Sequence, residues 1–312
     1  MIALKHLSIN QIVSSDIQKH NNWIYNLIEL SDHRLASSST DGCINIYNKQ
    51  TLSIDIQIKE EFGYWYCLGE SKPLKLIASS IYHCVKIWSL SDTGYTLEKE
   101  INTGENTYYV RAVLGLSNNK LALSFNNPWI QIVSTKNYKI IKVFKNDRNP
   151  DDNFDHTKKV ALGLLELSKN RMVSGSQDGD LIFYDLIHYK VITKFKDIEC
   201  YSQNSIKMID KRRLIVGGCN EINIIDVENY QLITKFQDAA LETIYCFSVI
   251  DKYNILVGGK YNLFLLNGAI RIIDLGKHDE DKSTITAMVP LYDNTILCAR
   301  ARGQVHCISY NI

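Results

Sequence analysis

The sequence has almost no net charge, which excludes one class of partner from the start. Its 35 Lys and Arg residues are balanced by 34 Asp and Glu residues, so the formal charge is +1. A chain without a strong overall field is not held on nucleic acid or on an anionic membrane by its net charge. Any charged partner must therefore meet a local patch of the surface.

Segments that target a protein to a membrane are also missing. The first residues, MIALKHLSINQIVSS, do not combine a charged segment with an apolar one, as a secretion signal does. No stretch approaches about 18 uninterrupted apolar residues, which a membrane-spanning helix requires. We therefore expect no secretion signal, no membrane span and no membrane partner.

The cysteine pattern does not fit a disulfide scaffold. Eight cysteines are sparse for 312 residues, and no two of them form a C-x-x-C pair. All but Cys200 fall in or beside strand-like segments, where a free thiol behaves as a small hydrophobic side chain. These features predict a reducing compartment, and thus a cytoplasmic or otherwise intracellular protein.

What the sequence does contain is a recurring pair of β-rich runs. The first run of each pair has small residues and begins at residues 34, 75, 120, 171, 213, 254 and 295. The partner runs are CINIYN, CVKIWSL, WIQIVST, LIFYDL, INIIDV, LFLLNG and VHCISY. Apolar segments before and after the pairs complete units of four strands and about 40 to 45 residues, the period of a propeller blade.

The repeat predicts an all-β fold, a single seven-bladed β-propeller with four antiparallel strands per blade. The seventh unit ends at Ile312 after its third strand. Residues 2–11, IALKHLSINQ, are predicted to supply its outer strand, which would close the ring and remove open sheet edges. The predicted blades of this single domain, residues 1–312, are 20–58, 62–103, 107–145, 156–197, 201–238, 242–277, and 283–312 with 2–11.

Two units carry a more specific pattern. LASSSTDG at residues 35–42 and MVSGSQDG at residues 172–179 each follow a His and precede a strand that contains a Tyr. The pattern resembles the WD-repeat family, in which a His, a Ser or Thr, a turn Asp and a Trp form a buried hydrogen-bond network within the blade. The resemblance implies two structural networks, one of His20, Ser37, Asp41 and Tyr47 and one of His156, Ser174, Asp178 and Tyr184.

The sequence fits other interpretations of these motifs less well. Paired glycines at residues 217–218 and 258–259 are typical of kelch propellers, but neither pair is followed by the Tyr and Trp that kelch repeats require. The Ser, His and Asp set is also that of a hydrolase triad. Because the set recurs in two blades and no nucleophile elbow is present, we expect no catalytic residue and no enzyme activity.

Metal and nucleic-acid sites are not expected either. Residues 151–155 begin like an EF-hand loop, but His156 and Leu162 stand where Gly and Glu are required. We therefore predict no metal and no cofactor. The basic run at residues 211–213 has no stacking motif beside it, which makes nucleic acid an unfavoured partner.

The predicted function is that of a non-enzymatic protein–protein interaction scaffold, a monomeric propeller within a larger complex. Connections on one face of the ring are rich in aromatic residues and Arg, which are enriched at interfaces. The predicted partner-binding residues are Tyr64, Tyr82, Tyr109, Arg111, Trp129, Lys159, Tyr201, Tyr261 and Arg302. Two alternatives stay open: a module that recognises a short peptide at the channel mouth, as a substrate adaptor does, and a propeller hydrolase.

Overall fold

The protein is a ring of seven four-stranded antiparallel sheets. The computed structural model describes residues 8–13, 20–60, 63–81, 84–102, 109–145, 160–260, 262–267, 271–277, 283–292 and 294–311. Within these ranges the only helix is one turn of 3-10 helix at Ala239–Leu241, so no helix there is long and apolar enough to cross a membrane. The predicted seven-bladed β-propeller is confirmed.

In each blade the strands follow one another from the axis of the ring outward. The innermost strands are β2 (Ile24–Glu29), β6 (Trp65–Glu70), β10 (Val110–Leu116), β14 (Ala161–Ser168), β18 (Ile206–Met208), β22 (Ile244–Val249) and β26 (Ile285–Pro290). The second strands are β3 (Leu35–Ser39), β7 (Lys75–Ser80), β11 (Lys120–Phe125), β15 (Arg171–Ser176), β19 (Arg213–Gly217), β23 (Asn254–Gly259) and β27 (Thr295–Arg300).

The outer half of each blade consists of two further strands. The third strands are β4 (Cys43–Tyr47), β8 (Cys84–Leu90), β12 (Trp129–Ser134), β16 (Leu181–Asp185), β20 (Glu221–Asp226), β24 (Asn262–Asn267) and β28 (Val305–Asn311). The outermost strands are β5 (Ile54–Lys59), β9 (Tyr95–Asn102), β13 (Ile140–Lys145), β17 (Lys190–Phe195), β21 (Gln231–Gln237), β25 (Arg271–Lys277) and, in the seventh blade, β1 (Ser8–Val13).

The two ends of the chain close the ring. β1 pairs with β28, so that Ser8 lies opposite Asn311 and Val13 lies opposite Cys307. The outer strand of the seventh blade therefore comes from the N-terminal segment, as the repeat predicts. Innermost strands of neighbouring blades are in contact all round the ring, including β26 with β2.

The burial of the second strands explains the composition of the repeat. These strands lie between the neighbouring blades, and every residue of β3 is buried. A strand covered on both faces has a continuous run of apolar or small residues rather than an alternating one. The runs LASSS, LIASS and LIVG combine Leu, Ile or Val with small residues because adjacent blades approach closely over them.

A β-bulge recurs at the second residue of six innermost strands. The residue skipped in the pairing register is Tyr25, Tyr66, Arg111, Leu162, Tyr245 or Thr286. A bulge changes the direction in which a side chain points relative to the regular pleat. We call the side of the ring on which the innermost strands begin the upper face, and the side on which they end the lower face.

Candidate functional site

Five side chains from three adjacent blades form a continuous cluster on the upper face, which we call the aromatic rim. Its members are Trp23, Tyr25, Tyr66, Tyr109 and Arg111. Trp23 and Tyr109 directly precede innermost strands, and the other three occupy the bulged second position. Equivalent positions in successive blades thus bring the five side chains together.

Ring stacking connects the rim from blade to blade. The ring centroids of Trp23 and Tyr25 lie 6.1 Å apart, those of Tyr25 and Tyr66 lie 4.5 Å apart, and those of Tyr66 and Tyr109 lie 6.3 Å apart. Such offset or tilted pairs are favourable beyond the area that they bury. The rim is therefore a preformed surface.

Arg111 lies between two of these rings. Its guanidinium carbon is 5.7 Å from the Tyr66 centroid and 5.4 Å from the Tyr109 centroid, within the range of cation–π attraction. Burial, together with the neighbouring Tyr66 hydroxyl, raises the pKa of Tyr25, so that its phenol stays neutral. The rim consequently presents neutral aromatic surface with one fixed positive charge.

Four of the remaining predicted partner residues are described by the structure, and they occupy other positions. Tyr64 is exposed on the upper face just before β6. Trp129 begins β12 farther from the axis, where Lys145 Nζ lies 5.2 Å from its ring centroid. Tyr201 is half-buried in the connection to the fifth blade, and Arg302 is exposed in the turn between β27 and β28. Tyr82, Lys159 and Tyr261 lie outside the described residues.

Sequence reasoning identified Tyr109 and Arg111 but missed Tyr25 and Tyr66. The missed residues occupy the second position of segments IYN and WYC, which correspond to VRA in the third blade. Aligning these three segments would have revealed the shared position. In a regular strand the side chain at this position would follow the pleat of the sheet. The bulge changes its direction, so that it points to the aromatic rim.

A connection between the fourth and fifth blades crosses the channel beneath the upper face. We call residues 199–205 the channel loop. Asn204 Nδ2 donates to the backbone oxygens of Tyr25, at 3.4 Å, and Thr286, at 3.1 Å, which belong to the first and seventh blades. The Gln203 side chain donates to Leu164 O and accepts from Leu164 N, at 2.7 and 3.1 Å. The loop is thus bonded to strands on several sides of the channel.

The first blade contains the buried network that the WD resemblance implies. His20 Nδ1 lies 2.9 Å from Asp41 Oδ2, and His20 Nε2 lies 2.7 Å from Ser37 Oγ. The Ser37 and Tyr47 hydroxyls are hydrogen-bonded at 3.1 Å, and Asn45 Nδ2 donates to the Tyr47 hydroxyl at 3.3 Å. The network joins the start of the blade, its second strand, its turn and its third strand.

Hydrogen bonds keep the carboxylate of this network ionised. Burial alone would raise the pKa of Asp41, but donation from His20 and from the backbone N–H groups of Asn21 and Cys43 lowers it below its ordinary value. Burial raises the pKa of Tyr47, whose hydroxyl remains a neutral hydrogen-bonding group.

In the fourth blade the structure describes only part of the equivalent set. The Ser174 and Tyr184 hydroxyls are hydrogen-bonded at 3.1 Å, as Ser37 and Tyr47 are. Asp178 is exposed, and His156 lies outside the described residues, so the second network stays a prediction. The buried carboxylate of this turn is Asp180, whose oxygens lie 2.7 and 2.9 Å from the Nζ atoms of Lys194 and Lys196.

Comparison with known proteins adds no family to this description. No model of a known protein family matches the chain, and a search of curated proteins finds no match. Among the described residues, no three His, Cys, Asp or Glu side chains are grouped so as to hold a metal ion. Function must therefore be argued from the fold and from the geometry of the rim.

Proposed function

We propose that this protein is a non-enzymatic WD-type propeller that serves as a protein-interaction platform within a larger intracellular complex. β-Propellers commonly act as interaction scaffolds. The network of His20, Asp41, Ser37 and Tyr47 supports the WD assignment. All eight cysteines are free thiols, which supports a reducing compartment.

The aromatic rim is the observation on which the proposed function rests. Tyr, Trp and Arg are the residue types that dominate interface hot spots. The rings are already packed against one another, so little side-chain entropy is lost when a partner covers them. Within the rim, Trp23 is 47% exposed, which leaves its ring accessible to a partner. Tyr64, outside the rim but on the same face, is 41% exposed.

A short-peptide recognition module is the second candidate. The rim spans only three blades, and the channel loop supplies a floor beside it, so a short segment could cover the whole cluster. The fixed charge of Arg111 would then favour an acidic or C-terminal carboxylate group in the bound segment. A scaffold, by contrast, would bury surface well beyond the rim.

The proposal is tested by substituting the rim and measuring recovery of associated proteins from the native source. Arg111→Glu and Tyr109→Ala are each expected to reduce recovery at least about tenfold, the effect of a typical hot spot. The matched controls are Lys252→Glu and Tyr253→Ala. Lys252 Nζ lies 4.8 Å from the Tyr253 centroid in an equivalent cation–π pair, but at a turn on the lower face.

The outcomes separate the candidates. If the rim variants, but not the control variants, lose stably co-purifying chains, the scaffold is supported. If the rim variants lose only a micromolar affinity for short acidic peptides, the recognition module is supported. Undiminished recovery with folded Arg111→Glu and Tyr109→Ala proteins would remove the rim from the proposed function. Circular dichroism and thermal unfolding establish that each variant is folded.

A further inference from the structure

We propose that the central channel is a binding site for a small organic anion, a molecule with one carboxylate and an apolar body. A cavity of about 430 Å³ lies on the lower side of the channel loop. It is lined by residues from the second halves of the innermost strands, and Glu29 and Pro290 line it at the lower face. This site is distinct from the aromatic rim and does not depend on the proposed function.

The wall of the cavity is largely apolar. The apolar lining residues that keep accessible surface are Ile28, Leu114, Leu165 and Pro290. The other apolar residues along the wall are buried between the blades, namely Leu27, Leu68, Val113, Leu164, Phe247 and Met288. The channel loop contributes the amide side chains of Gln203 and Asn204. A cavity of this size, mostly apolar and with a few convergent polar groups, is typical of small-molecule sites.

Among the described residues that line this cavity, Lys207 is the one lysine. Its Nζ donates to Phe247 O at 3.3 Å, and among the described residues no carboxylate lies within ion-pairing distance of it. Lys207 is half-buried, and partial loss of hydration lowers its pKa. An ammonium group has three donors, so two of them remain for a ligand.

The other charged group of the cavity does not neutralise Lys207. Glu29 lies at the lower end, where its carboxylate oxygens are 3.0 Å from His33 Nδ1 and 2.9 Å from Lys49 Nζ. These two ion pairs neutralise the Glu29 carboxylate at the lower opening of the cavity. A partly dehydrated cation without a counter-ion is costly, and an anion from solution would offset that cost.

Size and polarity restrict the ligand further. A fully hydrated inorganic anion would leave the leucine and valine walls in contact with water, whereas an apolar body covers them. The carboxylate would accept a charge-assisted hydrogen bond from Lys207 Nζ. The class that fits is therefore a short-chain or aromatic monocarboxylic acid.

Calorimetric titration with hexanoate, hexanol and inorganic phosphate tests the proposal on the wild-type protein. Hexanoate is expected to bind with a Kd below about 1 mM, and hexanol at least about tenfold more weakly because it lacks the charge. This comparison requires no variant. No hexanoate binding, equal binding of hexanol, or equal binding of phosphate would overturn the proposal.

A matched pair of variants assigns the binding to the channel. Lys207→Met keeps the length of the side chain and is expected to weaken hexanoate binding at least about tenfold, with no loss of thermal stability. Lys252→Met changes an exposed lysine on the lower face and is expected to bind hexanoate as the wild type does. Equal affinity of the wild type and Lys207→Met would overturn the assignment.

Discussion

At the scale of single residues, two histidines make the same kind of contact but differ in burial. Removing each one measures how much burial adds to the contribution of that contact to stability. His20 and His33 lie 2.9 and 3.0 Å from a carboxylate, but their side chains are 0% and 75% exposed. His20→Ala leaves Asp41 and Ser37 without their partner in the blade interior and is expected to cost about 1–3 kcal/mol. His33→Ala is expected to change stability by less than about 0.5 kcal/mol. Equilibrium denaturation measures both values, and equal effects would contradict the structural role of the network.

The carboxylate of Asp180 predicts an acid-sensitive contribution to stability. Burial opposes its ionisation, but Lys194 and Lys196 lower its pKa below the ordinary value. Because the folded-state pKa is depressed, the stabilisation is complete above the unfolded-state pKa of about 3.9 and is lost as the pH falls through the folded-state pKa. Asp180→Asn should therefore reduce unfolding free energy at pH 7 by about 1–2 kcal/mol, and less at pH 2 to 3.

The measurement is denaturant unfolding of the wild type and Asp180→Asn across the acid range. Asp92→Asn, at an exposed turn position, is the control and should follow the wild type. A constant difference between the wild type and Asp180→Asn at all pH values would mean that ionisation of Asp180 does not contribute.

At the scale of strands, the contact between the second and third blades depends on a glycine. A Cβ atom on Gly115 of β10 would lie 2.0 Å from Glu70 O and 2.4 Å from Ser71 Cα, both backbone atoms. Gly115→Ala must therefore push the two blades apart, and we expect a loss of at least about 2 kcal/mol. In Gly94→Ala the nearest atom, Ser91 Oγ, would be 3.8 Å away, so denaturation should show a change below about 1 kcal/mol. A tolerated Gly115→Ala would show that this blade interface is not close-packed.

The second strand of each blade could be predicted from the sequence, because a local run of small and apolar residues determines it. The runs from residues 34, 75, 120, 171, 213, 254 and 295 coincide with the second strands, because burial on both sides requires continuous small and apolar residues. Trp65, the first residue of β6, is buried against Trp88, with ring centroids 5.3 Å apart, whereas Tyr64 directly before it is exposed. An aromatic at the start of a strand can point inward or outward, and its sequence position alone does not decide this.

The channel loop was not predictable, because its partners are remote in sequence. Asn204 is separated from Tyr25 by 179 residues and donates to its backbone oxygen, which any residue would present. Such a contact leaves no trace in the composition of either segment. Strand β18 is only three residues long for the same reason. The chain before it is hydrogen-bonded across the channel instead of along the blade.

At the scale of the whole molecule, the rim and the cavity occupy opposite sides of the channel loop. Asn204 lines the cavity with its side chain and bonds the backbone of Tyr25, a rim residue. The upper face and the channel therefore share a wall. Substitution of Arg111 changes only the aromatic rim, and substitution of Lys207 changes only the cavity. The two variants therefore separate binding at the upper face from binding in the channel.

Closure of the ring is the property that most clearly belongs to the whole chain. Ser8 lies opposite Asn311, so a permuted chain that starts at Ser14, runs through Ile312 to Met1 and ends at Val13 keeps every strand pair. Its stability should stay within about 1 kcal/mol of the wild type, since only the connection changes. Removing residues 1–13 instead leaves β28 as an open edge, which should lower stability by several kcal/mol or cause self-association.

Denaturant unfolding and light scattering distinguish the two chains. The permuted chain is the control for the deletion, because both lack the covalent link between Val13 and Ser14 but only the deletion lacks β1. If the deletion were as stable and as monomeric as the permuted chain, the hydrogen bonds between β1 and β28 would contribute nothing to the ring. The blades would then be held by the contacts of their innermost strands alone, and ring closure would be independent of the chain ends.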